Sequence, residues 1–153
     1  DFVCSRTAQT GELRRMIYFD DALPDGAVLT FLQAHKERLL ARRVIRFDES
    51  NWWKWGRRHK LSEQPRIYVN HKTRAARPFF RHDCPDYDGS VLALFPHRRD
   101  LSTTQLDALT VALNDVDWHE LGFVCDGRYL FSQRSLEHAL LPEYFTEFAA
   151  DAA

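Results

Sequence analysis

Only three cysteines occur in the 153 residues, Cys4, Cys84 and Cys125, far apart and never as Cys-x-x-Cys. A disulfide framework is not expected, and the pattern fits a reducing, cytoplasmic setting. The six glycines include no Gly-x-Gly, so no nucleotide-cradling loop is readable. No two prolines are adjacent, which leaves out the Asn-Pro-Pro-aromatic signature of amino-methylating enzymes. No Gly-x-Ser-x-Gly elbow is present. The four lysines, Lys36, Lys54, Lys60 and Lys72, follow Ala34, Trp52, Arg58 and Asn70 by two positions. The acid-x-Lys of common metal-dependent nucleases is therefore missing. Apolar runs fall far short of the ~20 residues a spanning helix needs, so no membrane partner is expected. No catalytic residue is assigned.

What is present is one ordinary domain's worth of chain, 44% hydrophobic and 13% aromatic. Residue 1 is Asp rather than Met, which reads as a fragment of a larger protein. The net charge of −1 hides an asymmetry. Residues 36–81 hold fourteen Lys/Arg against four acids (Glu37, Asp48, Glu49, Glu63), while the rest of the chain holds seven bases and eighteen acids. A cationic block inside a neutral chain is the footprint of a polyanion-binding face, or of a solvated surface paired with the acidic remainder.

The periodicities mix strand and helix without strict alternation, which predicts an α+β fold. A single mixed domain is expected, with a small, mostly antiparallel sheet packed with three or so helices. Helical spacing covers 27–44 and, more strongly, 102–116, where Ser102 and Gln105 suit a capping box and Leu106, Leu109, Ala112, Leu113 and Val116 form a stripe. Strands are expected at 15–19, in "VIRF", in "PRIYVN" and in "GSVLALFP". Asp126-Gly127 joins two short apolar runs as a hairpin. Ser132 caps a further helix running to Pro142.

The most unusual stretch is "NWWKWGRRHK", residues 51–60, which places Trp52, Trp53 and Trp55 among Lys54, Arg57, Arg58, His59 and Lys60. Indole faces stack on bases, and Arg or Lys contacts phosphates or guanine edges. The same rings could instead be core, leaving the basic end to face a ligand. Arg66, Lys72, Arg74, Arg77 and Arg81 join the candidate DNA-contacting set by charge. "HDCPDYD" offers His82 and Cys84 to a metal, with His71 and His97 further off. No second tight pair closes a zinc site, so a polar loop is expected and no metal is assigned.

Residues 109–142, "LTVALNDVDWHELGFVCDGRYLFSQRSLEHALLP", resemble the closing segment of target-recognition domains in adenine-specific DNA methyltransferases of restriction–modification systems. Leu113-Asn114, Gly127-Arg128-Tyr129, Phe131-Ser132, Leu136 and Leu141-Pro142 carry the likeness. "PRIYVNHKTRAARPFF" and "GSVLALFP" extend it over 47–145, whereas residues 1–46 match weakly. The resemblance implies a reader of double-stranded DNA. Its catalytic domain, which binds S-adenosylmethionine and flips the adenine, would lie elsewhere in the parent chain. No cofactor is then expected in this fragment. Two other readings stand beside it. One is a protein-interaction domain with a basic face; the other is a metal-dependent nuclease domain using Asp86, Asp88 or Glu63.

Overall fold

"PRIYVN" follows a proline and alternates large apolar side chains, and it forms the central strand β1, Ile67–Asn70. All four of its residues are buried, because it is covered on both faces. The period of two sends Ile67 and Val69 into one core and Tyr68 into another. The computed structural model describes residues 1–19, 22–56 and 62–149. They fall into two compact units, Asp1–Arg15 with Ser62–Ala153, and Met16–Leu61. The fold is α+β, with two small antiparallel sheets of three strands where one sheet was expected.

In the larger unit, β2 is Lys72–Thr73, β3 is Phe79–Phe80 and β4 is Val91–Leu94. The first sheet has the order β3-β1-β4, with Tyr68 opposite Phe80 on one side and Ala93 on the other. Helix α4, Thr103–Asp115, begins at Ser102 with the expected capping box and lays Leu106, Leu109 and Leu113 on the Ile67/Val69 face. Asn114 then ties this helix to the edge strand: its Oδ1 accepts from Phe79 N and its Nδ2 donates to Phe79 O, both at 2.9 Å. The second sheet orders β2-β6-β5, from β5, Val124–Cys125, and β6, Arg128–Leu130. Asp126 and Gly127 both take positive φ, 50° and 66°, as a two-residue turn of the I′ kind requires. His71 carries the chain from the first sheet to the second. Its N–H donates to Ser90 O, and its carbonyl accepts from Phe131 N at 2.9 Å.

The opening residues are better ordered than their composition suggests. Val3 and Cys4 are fully buried, and α1, Thr7–Thr10, follows them. Asp88, itself buried, pairs with Arg14 at 2.5 Å and accepts from Ser90. Helix α5, Gln133–Glu137, keeps its Ser132 capping box but stops at His138, short of Pro142. The acidic tail then forms a 3₁₀ turn over Glu143–Phe148 that buries Phe145.

In the smaller unit the expected helix over 27–44 is two pieces, α2, Gly26–Gln33, and α3, Lys36–Leu40. The apolar stripe has no member between Leu32 and Leu39, and the turn that lacks one is where the helix breaks. Neither 15–19 nor "VIRF" becomes a strand, since neither finds a partner strand among the described residues. Val44 and Ile45 remain about half exposed. No helix among the described residues is long and apolar enough to cross a membrane.

Tyr68 is fully buried on the opposite face of β1, and its hydroxyl donates to Cys84 O at 2.7 Å. Burial pushes its phenol from 10 up to about 12. The folded state therefore holds this proton more tightly than the unfolded chain does. The stabilisation is complete below pH 10 and is lost as pH rises towards about 12. Alkaline unfolding should cost roughly 2 kcal/mol through this group. Tyr68→Phe should flatten that decline, which unfolding midpoints measured across the window would show.

Candidate nucleic-acid interface

The cationic candidates divide by what already holds them. Arg66, a DNA-contacting candidate by charge, is buried at 7% exposure. Its guanidinium donates to Gln64 O at 3.1 Å, to Pro85 O at 2.7 Å and to Ser62 O, and lies over the Phe95 ring. Arg77 reaches Asp115 at 3.4 Å and Arg81 reaches Asp107 at 2.7 Å, both acids on α4. These three cations already have protein partners: the acidic remainder of the sequence folds back on part of the basic block.

Of the three clustered tryptophans one is buried and two are partly exposed, each held against its own unit. Trp52 is buried and meets Trp53 edge-on at 5.9 Å. Trp53 donates its indole N–H to Ala22 O at 3.1 Å, and Trp55 lies 5.7 Å from the Tyr18 ring. Lys54 sits 6.0 Å from the Trp53 ring, and Lys36 pairs with Glu49. Arg42 joins the turns of this unit, donating to Leu39 O at 2.8 Å and to Trp52 O at 2.7 Å. Aromatic and basic residues are therefore adjacent here because a 46-residue unit builds its core from rings and staples its loops with guanidinium. Arg57, Arg58, His59 and Lys60 lie outside the described residues.

Lys72 and Arg74 are different. Both are exposed, and among the described residues neither has an ion-pair partner. They line a cleft of about 270 Å³ together with Ser5, Gln9, Asn70, Thr73 and Arg128. No carboxylate is among its lining residues. Three elements build it. The β1 strand ends on Asn70, β2 starts at Lys72, and the hairpin brings Arg128 beside β2 through the Lys72–Leu130 and Thr73–Tyr129 pairs. The N-terminal segment closes one side, because Asn70 Nδ2 donates to Ser5 O at 2.9 Å and Ser5 N donates to Ser90 Oγ at 2.8 Å.

Charge counting had omitted two of these residues. Arg128 stands in the Gly-Arg-Tyr segment of the resemblance, but it lies beyond the basic block. Asn70 had one local signal, a polar, β-disfavouring residue closing an apolar strand. The acids of the nuclease reading are not gathered. Asp88 is committed to Arg14 and Ser90, and among the described residues no three His, Cys, Asp or Glu side chains come together to hold a metal ion. Compared with protein-family models, curated proteins and solved structures, the chain matches none of them.

Proposed function

We propose that this chain binds double-stranded DNA, as the target-recognition part of an adenine-specific DNA methyltransferase acting in the cytoplasm. The S-adenosylmethionine site and the methyl transfer would belong to a catalytic domain of the same parent protein. The observation that carries the DNA reading is the cleft where Lys72, Arg74 and Arg128 converge with no acid beside them. Uncompensated charges held together by two strands attract a polyanion and lose that attraction to salt. Arg128 also falls within the motif on which the family resemblance rests, so two independent lines meet at one residue.

The test is a salt titration of duplex binding by the whole chain. Each phosphate neutralised contributes about 0.9 to the slope of log affinity against log salt. The combined variant Lys72→Ala, Arg74→Ala, Arg128→Ala should lower that slope by roughly 2 to 3. Arg77→Ala with Arg81→Ala should change it by less than about 1, since those charges are already paired with α4. An unaltered slope in the triple variant would remove the cleft from the interface.

A further inference from the structure

The large apolar side chains left exposed among the described residues are not spread evenly. Val111 apart, they fall in two places. Ile17, Leu23, Val28, Phe31, Val44 and Ile45 belong to the smaller unit, and Leu140, Leu141 and Tyr144 to the C-terminal segment of the larger one. Concentrated apolar surface marks an interaction site more often than single scattered residues do. The two places also carry opposite charge. Residues 25–46 hold Lys36, Arg38, Arg42, Arg43 and Arg46 against Asp25 and Glu37. Residues 137–148 hold Glu137, Glu143 and Glu147, all exposed, and no Lys or Arg.

The smaller unit shapes part of its share into a groove. Phe31, Leu32, His35, Arg38, Leu39 and Arg42 line a cavity of about 360 Å³ along α2 and α3. Phe31 is 53% exposed and meets His35 edge-on at 4.8 Å. Arg42 is held by the Leu39 and Trp52 carbonyls, whereas Arg38 is exposed and makes no ion pair among the described residues. No carboxylate lines the groove. Apolar walls with a cationic rim fit an apolar side chain flanked by acids. The C-terminal segment has that form: Leu140 is 85% exposed and stands between Glu137 and Glu143. Burial of Phe145 anchors the segment to the core of the larger unit, so it is presented already ordered. We propose that the groove of one copy takes the C-terminal segment of a second copy, Leu140 entering the cavity and Glu143 and Glu147 lying against Arg38. The contact is heterologous, groove to tail, so it builds open chains or rings of copies rather than a two-fold dimer. One groove and one short segment make less than a standard interface of about 1,600 Å², so association is weak and depends on concentration. Nothing in it rests on the duplex-DNA reading.

The experiment is sedimentation velocity of the whole chain, without DNA and at low salt, up to a concentration of about 1 mM. The average mass should rise with concentration and fall back when salt is added. Leu140→Ser should weaken self-association by about tenfold and leave the melting temperature unchanged, because the side chain it removes is already in water. Arg38→Glu, and separately Glu143→Arg with Glu147→Arg, should each weaken it by about tenfold through like-charge contact. Mixing the two reversed chains should restore association, since every groove then finds a tail of opposite sign. A damaged fold cannot imitate that recovery. A chain that stays monomeric to about 1 mM, or one whose association ignores Leu140→Ser, overturns the inference. So does a mixture that associates no better than its components.

Discussion

Replacing Trp118 by alanine is expected to destabilise the larger unit by about 3–5 kcal/mol. For a chain of this length that lowers the melting temperature by roughly 10 °C. Trp118 is 2% exposed and is the ring around which the others are arranged. Phe79 of β3 lies at 5.2 Å, Phe123 at 4.9 Å and Phe131 at 5.3 Å. Its indole N–H donates to Leu113 O at 2.7 Å, capping one of the last carbonyls of α4. Its own carbonyl accepts from Phe123 N at 2.9 Å and so aims the chain into the hairpin. Alanine would open a cavity among helix, sheet and hairpin and leave the Leu113 carbonyl without its donor. Trp118→Phe keeps most of the ring contacts and loses the hydrogen bond, so it should cost about 1–2 kcal/mol. Urea unfolding of both variants separates cavity from cap. A Trp118→Ala loss below about 1 kcal/mol would mean that this cluster is not the core of the unit.

That cluster shows where sequence reading works and where it stops. The capping box at Ser102, the Asp126-Gly127 turn and the β1 strand were legible, because each is written in neighbouring residues. A cap needs a side chain three positions on; a tight turn needs two residues that tolerate positive φ. The three clustered tryptophans drew attention as ligand-stacking groups, while the isolated Trp118 proved to be the hub of the fold. Proximity in sequence measured local richness in rings, whereas burial depends on which elements pack together. The same limit governs charge. Arg66, Arg77 and Arg81 read alike as cations, and only the fold reveals that α4 carries acids opposite two of them and that three carbonyls surround the third. The cleft was half legible. Asn70, Lys72 and Arg74 lie together within the basic block, but Ser5, 65 residues before Asn70, and Arg128, brought in by the hairpin, join them through contacts no local pattern encodes.

Arg66→Ala is the second large effect and separates structural cations from those proposed to bind DNA. Its loss should cost about 3 kcal/mol, set by the backbone carbonyls left without a donor rather than by any ion pair. Among the described residues no acid pairs with Arg66; its donors go to Gln64, Pro85 and Ser62, and its plane covers Phe95. These contacts pin residues 62–65 and the 82–86 loop to the start of β1, so the loss falls on the strand that also carries Asn70. Arg66→Lys keeps the charge but cannot reproduce a planar fork serving three acceptors, and should recover less than half of the stability. Under the proposed DNA-binding role, and measured well below its melting point, Arg66→Ala should keep whatever salt slope of duplex binding the native chain gives, because its charge already faces the protein's own backbone. A variant that stays fully stable while its slope falls by about one would place Arg66 on the DNA after all, and would move the interface from the Lys72–Arg74–Arg128 cleft towards the opposite end of β1.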